Sequence, residues 1–414
     1  MREPPTRYPR RIPVVRAWWP LILLMALLQA CTTGPARNAV PDGQAQTAGI
    51  PGIERARAWG DDPPLWLDPS LFALSDAEVR AEFPGIYGRP HDYLAISGGG
   101  SDGAFGAGLL NGWTAAGTRP EFTIVTGIST GALIAPFAFL GPEYDAALRG
   151  FYTRYATKDL LRKRSWIEIL GTESIADTAP LRDKITELIT PEVLERIAAE
   201  GRRGRRLFIG TVNLDQARPV VWDITEIAAS GQPGTPELIR DIMLASASAS
   251  ASASVPGAFP PVHIAVEGAD GRRYEEMHVD GGTATQVFLY PLGLDWKRVL
   301  RKLEVPGTPK VYVVRNSKIM LDPEAVPRRL PAIAERSISS LIRTQGIGDM
   351  YRMFLGAKRD GLDYNLASVP EDFPGKSAEP FDPVYMSALY DLGYRLARAG
   401  YPWAKTPPGT VVTE

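Results

Sequence analysis

The expected fold is an α/β domain with a buried, mainly parallel sheet, and two patterns carry that expectation. Short β-branched and aromatic runs alternate with longer apolar stretches of helical spacing, as in strand–helix–strand units. The succession of strand, glycine turn and apolar helix then occurs twice within about fifty residues: DYLAIS, GGG, AFGAGLLNGW, followed by FTIVT, GISTG, ALIAPFAFL.

The elements follow in order. The leader is basic, with Arg2, Arg7, Arg10, Arg11 and Arg16, and an apolar run AWWPLILLMALL covers Ala17–Leu28. That run is shorter than the roughly 20 residues of a membrane span and suits the core of a signal peptide. It ends at Leu28-Gln29-Ala30-Cys31, which resembles the lipobox of bacterial lipoproteins. The resemblance implies lipidation at Cys31 and, since Thr32 rather than Asp follows, a lipid-anchored place in the cell envelope at the outer membrane. Thr32 to about Gly60 is rich in Pro, Gly, Ala, Gln and Thr and reads as a flexible tether. A short helix is expected near Ser75–Phe83, with Ser75 as its N-cap. Strands are expected at Asp92–Ser97, Phe122–Thr126, Leu207–Val212, Val220–Asp223, His263–Val266, Glu276–Val279 and Lys310–Val314. Helices are expected at Ile333–Phe354 and Val384–Ala399. The organisation is therefore a signal peptide over 1–30, a tether and N-terminal extension over 31–88, one main domain over 89–402 and a C-terminal tail over 403–414.

Two low-complexity stretches have plain explanations. Ala245–Ser254 is a strict Ala-Ser alternation. It has no strongly apolar face, so it is no core strand; it extends the preceding helix and reads as a dispensable repeat expansion. The run Arg202-Arg203-Gly204-Arg205-Arg206 reads as a solvated loop, or else as a contact for anionic headgroups that Lys158, Arg162, Lys163 and Arg164 would extend.

Composition excludes several functions. The 414 residues carry a formal net charge of −1, so nothing global points to nucleic acid. One cysteine and three histidines, with no H-E-x-x-H pattern, argue against a metal site.

The chemistry centres on Gly127-Ile128-Ser129-Thr130-Gly131, a G-x-S-x-G motif between an apolar strand and an apolar helix. That is the setting of a nucleophile elbow, in which Ser129 sits on a sharp turn. Gly127 and Gly131 flank it where strand and helix cross. Gly99-Gly100-Ser101-Asp102-Gly103 has the same pattern on a looser loop, which makes Ser101 the lesser candidate. Gly98, Gly99 and Gly100 can offer backbone N–H groups to an oxyanion. The same loop also satisfies G-x-G-x-x-G through Gly98, Gly100 and Gly103, but the next strand does not end in the acid that would hold a ribose. Asp280 closes a strand-like segment and is followed by Gly281 and Gly282.

The order S-G-G-G, G-I-S-T-G, A-S-V-P-G-A-F-P-P-V and D-G-G over about Tyr93–Thr283 resembles the patatin-like phospholipase family. The resemblance implies a modified α/β-hydrolase-like three-layer sandwich around a mainly parallel sheet. It implies a lipid acyl hydrolase of phospholipase A, lysophospholipase or esterase type, acting through an acyl-enzyme without metal or cofactor. It implies Ser129 as nucleophile, Asp280 as base with no histidine, and Gly98–Gly100 as the oxyanion loop. The partners expected are a lipid substrate and, through Cys31, a membrane. Asp102 departs from the family, which often carries Arg or Lys there, and this weakens any inference that anionic phospholipids are preferred. The alternative reading is a catalytically silent lipoprotein that binds lipid or an envelope partner.

Overall fold

The computed structural model describes residues 37–62, 70–164, 174–248, 259–291, 293–375 and 377–410. Cys31, the leader and residues 249–258, which include the rest of the Ala-Ser segment, lie outside them. Nine strands form one sheet: β1 (Arg57–Trp59), β2 (Asp92–Ile96), β3 (Ile124–Ile128), β4 (Arg206–Asn213), β5 (Arg218–Asp223), β6 (Val262–Glu267), β7 (Arg273–Asp280), β8 (Lys310–Arg315) and β9 (Asp363–Ser368). The path runs β1-β5-β4-β3-β2-β8-β9, with β7 also pairing β4 and β6 pairing β7. The central strands β4, β3, β2, β8 and β9 are parallel, whereas β1, β5, β6 and β7 join antiparallel.

Alternate residues of the parallel strands enter two cores. Leu94, Ile96, Val125, Leu207, Ile209 and Val314 face one; Tyr93, Ala95, Phe208, Val311 and Val313 face the other. Such strands are buried on both faces, so they read as unbroken apolar runs. Against the first face pack α1 (Gly103–Ala115), α2 (Thr130–Leu140), the amphipathic α3 (Pro191–Arg202) and α4 (Thr235–Ala247) together with α6 (Pro383–Arg398). α5 (Leu330–Asp360) covers the second face. The result is a three-layer α/β sandwich.

Three expectations are corrected here. Residues 37–60 are no tether: β1 pairs with β5, Glu275 N–H donates to Asn38 C=O, and Val40, Ala45, Ala48, Ile53 and Ala56 are buried. The composition hid this because small residues fill the space left beside the sheet edge. The tail likewise begins inside the domain, since Ala404 bridges to Leu366 and Trp403 packs among Trp113, Tyr312 and Tyr401. The arginine run is not a solvated loop throughout. Arg205 is buried and donates to the carbonyls of Phe122 and Phe139 and to Glu200, tying α3 to the start of β4. It lies at the sheet edge opposite the one where β3 ends, since β3 and β4 run parallel.

Candidate active site

β3 ends at Ile128, α2 begins at Thr130, and Ser129 alone makes the reversal. Its backbone sits at φ 57, ψ −125, a region that costs an L-residue roughly 1–3 kcal/mol. Only two other non-glycine residues among those described have positive φ, Ala217 and Glu304. The flanking glycines permit the crossing. A Cβ on Gly127 would lie 2.4 Å from the Gly131 carbonyl oxygen, and one on Gly131 2.3 Å from that of Ile96. Both obstacles are backbone, so no side chain could move aside.

The strained turn is held by a residue that sequence reasoning set aside. The Ser129 N–H donates to Ser246 Oγ at 3.0 Å, and Ser246 Oγ–H donates to the Gly210 carbonyl at 2.7 Å. Ser246 is wholly buried, as are Ala245 and, nearly so, Ala247. The first two Ala-Ser pairs are therefore core, and the dispensable-repeat reading fails for Ala245–Ser248. A small residue is required where α4 meets the elbow, and serine adds the bridge. A repeat of alternating Ala and Ser gives no sign of which serine does this.

The other named residues converge on the same sheet edge. Gly98 follows β2, the parallel neighbour of β3, and a Cβ on it would stand 3.1 Å from Ser129 Cβ. A Cβ on Gly99 would meet the Asn316 carbonyl oxygen at 1.8 Å. Asn316 also receives the Gly106 N–H and donates to the Ser97 carbonyl, which clamps the loop from behind. Gly98 differs from expectation in one respect. Its single N–H already donates to the Gln286 carbonyl at 3.3 Å, so the amides that the loop can offer an oxyanion are those of Gly99 and Gly100. Ser101 lies in the short turn Gly100–Asp102 rather than at an elbow.

Asp280 ends β7 opposite Thr211 and is almost wholly buried. Its Oδ1 accepts the Gly282 N–H at 2.7 Å. A Cβ on Gly281 would lie 2.6 Å from the Gly210 carbonyl oxygen and 3.3 Å from Ile128 Cγ2, so the D-G-G turn is pressed against the residues beside the elbow. Gln286 joins the two loops: its carbonyl takes the Gly98 N–H, and its side-chain amide donates to the Gly282 carbonyl at 2.6 Å. Its own N–H donates at 2.7 Å to Asp349, a buried carboxylate of α5. Neither Gln286 nor Asp349 carries a motif that sequence could have flagged.

Two of the three histidines, His91 and His278, have both ring nitrogens engaged. Both ring nitrogens of His278 are committed within a buried chain: Trp222 N–H donates to Thr211 Oγ1, Thr211 is 3.0 Å from His278 Nδ1, and His278 Nε2 is 3.1 Å from Glu276. Arg57 completes it by pairing with Glu276. Burial holds the His278 ring below its ordinary pKa, against the pull of Glu276. His91 is bonded to Tyr93 and Ile86 at the opposite end of β2, and His263 is an exposed residue of β6.

Asp102 turns toward α6, where its Oδ1 accepts from Tyr385 O–H at 2.7 Å. Burial raises its pKa to about 6, and Tyr385 and Lys318 oppose the rise. Arg315, at the end of β8, is buried beneath Gly346 of α5; desolvation lowers its pKa to about 10. Behind the elbow on the α5 face lies an apolar cavity of about 360 Å³, bounded by Ile128, Phe208, Gly281, Val287, Phe288 and, from the N-terminal extension, Trp59.

The family model described as patatin-like phospholipase matches residues 94–292, which takes in Gly98, Ser129, Asp280 and Gln286. No curated protein matches the chain. Among solved structures it is similar to VipD from Legionella pneumophila, at 12% identity and a TM-score of 0.35, over 75% of this chain and 67% of that one.

Proposed function

We propose that this chain, a member of the patatin-like phospholipase family over residues 94–292, hydrolyses acyl esters of lipids with Ser129 as nucleophile and Asp280 as base. The observation that carries the reading is the Ser129 backbone, held at positive φ on a strand-to-helix turn that its glycine neighbours alone allow. In this reading Ser129 Oγ attacks the ester carbonyl while Asp280 accepts its proton. The amides of Gly99 and Gly100 and the N-terminus of α2 stabilise the tetrahedral oxyanion. The alcohol leaves with a proton returned from Asp280, and water then attacks the acyl-enzyme by the same route in reverse. The apolar cavity beside Ile128 and Gly281 accepts acyl chain.

Ser129→Ala should lower ester hydrolysis by about a thousandfold or more in a protein that still folds, as for loss of a nucleophile. A fluorophosphonate probe should label the parent and not the variant. Equal labelling of both would refute the assignment, and the absence of ester turnover by the parent would favour a silent lipid-binding protein. The leader anatomy supports lipidation at Cys31 and an envelope location. Cys31→Ser should shift the protein from the membrane fraction to the soluble one, or leave its precursor uncleaved; unchanged mass and fractionation would refute the anchor.

A further inference from the structure

α5 is 31 residues long, about 46 Å at 1.5 Å per residue. It leads from β8 to its parallel neighbour β9, so it starts beyond the sheet edge that carries Ser129 and runs back along the sheet. Its buried residues, among them Gly346, Asp349, Met350 and Ala357, belong to the second half. Gln345 and Asp349 bond to Ala284 and Gln286 and stand level with the site. From Ser317 to Gln345 no residue is buried. Some fifteen residues, about 22 Å of helix, thus overhang the active-site edge.

A helix in plain solvent would be polar there. Instead Leu330 is 81% exposed, Leu341 70% and Ile333 49%. Positions 330, 333, 334, 337 and 341 share one face at helical spacing. The buried Gly346 lies five positions after Leu341, a turn of about 140°, so this face looks away from the core. Arg329, Arg336 and Arg343 recur every seven residues along one flank. With Arg328, four arginines stand against the single acid Glu335 over 328–344. Two further exposed apolar residues lie at the same edge. Met320 contacts Arg343, and Val384 precedes the Tyr385 that bonds Asp102.

We infer that the overhanging half of α5 docks the enzyme on an anionic phospholipid surface. Leu330, Ile333 and Leu341 enter the acyl boundary, and the arginine flank meets the phosphates. An apolar stripe beside a cationic one is how interfacial helices bind, and the charge balance selects anionic lipid. Docking sets the sheet edge with Ser129 toward the membrane. The inference rests on the lipid-hydrolase reading above.

The test uses the mature chain from residue 31 with Cys31→Ser, which keeps every described element and removes the acyl anchor. Vesicles of phosphatidylcholine with phosphatidylglycerol, and of phosphatidylcholine alone, are the binding partners. The variant Leu330→Asp/Ile333→Asp/Leu341→Asp should bind the mixed vesicles and hydrolyse their lipid at least about tenfold more weakly. It should cleave a soluble short-chain ester at the parental rate. Arg328→Gln/Arg329→Gln/Arg336→Gln should abolish the preference for the mixed vesicles. Ser129→Ala should bind vesicles as the parent does and cleave neither substrate. Parental vesicle binding by the triple aspartate variant overturns the docking face. So does a dimeric parent that this variant makes monomeric while vesicle binding persists, since the face would then join two copies. Ester cleavage by Ser129→Ala would instead sink the hydrolase reading and leave the binding result standing.

Discussion

Ser246→Ala removes one oxygen from the buried core and should test how the elbow is held. The Ser246 hydroxyl takes the Ser129 N–H at 3.0 Å and gives its proton to the Gly210 carbonyl at 2.7 Å. Alanine leaves both backbone groups buried without those partners, and each such loss costs about 1–3 kcal/mol. The sum is about 2–4 kcal/mol if the site relaxes a little. For a chain of this size that is a fall of roughly 2–5 °C in melting temperature. Ser248→Ala is the internal control. Ser248 Oγ donates to the Ala245 carbonyl at 2.8 Å, but the same carbonyl also accepts the Ser248 N–H, so it keeps a partner. Its loss should be within about 1 kcal/mol. Because Ser129 N–H anchors the residue in its strained conformation, Ser246→Ala should also lower kcat about tenfold or more, as for misplacement of a reacting group. Calorimetry and hydrolysis of a soluble ester decide the matter. If both serine variants melt together within a degree or so of the parent and keep full activity, the bridge contributes nothing and the elbow is held by packing alone.

Three further outcomes follow from the same geometry. Asp280→Asn should abolish ester turnover in a folded protein, while His263→Ala should retain most of it and His278→Ala should lose stability more than chemistry; a histidine variant as inactive as Asp280→Asn, yet folded, would require a triad. His91 is held down to about 4 by burial, against about 6.5 for a free ring. The unfolded chain therefore binds the extra proton between those values, so stability is full above about pH 6.5 and falls by about 3 kcal/mol as pH drops to about 4. Denaturant melts at several pH values should show this, with a shallower slope in His91→Asn. Asp102 has its pKa raised to about 6, so it is neutral below that pH and an anion beside the oxyanion loop above it. Asp102→Asn should match the parent near pH 5 and exceed it at pH 8 in kcat/KM; equal profiles would mean that the Tyr385 bond and Lys318 screen the charge.

What could be read beforehand divides along physical lines. β2, β3, β4 and β8 are mostly apolar between their ends because both faces are covered, and a run of that kind is visible without any partner in view. Ser129 was legible for a similar reason. The steric demand that places Gly127 and Gly131 is local in sequence, even though one obstacle, the Ile96 carbonyl, lies in the next strand. β1 and β9 were missed because each takes its order from the strand beside it. β1 has three residues, and β9 carries Asn365 at its centre, where the amide donates back to the Asp363 carbonyl. The support of the site was invisible for the opposite reason to Ser129. Ser246 lies 117 residues from Ser129, and Asp349 lies 63 from Gln286. Each acts through hydrogen bonds to backbone, and that asks only for an oxygen at the right point in space. Such a requirement leaves no pattern in the neighbouring residues. It follows that a chain of this family could keep every motif around Ser129 and Asp280 and still lose the geometry through one substitution in a segment that looks like filler. The Ala-Ser alternation is such a segment: its described end, Ala245–Ser248, is core, so a repeat contracted at that end should be damaging although the composition hardly changes.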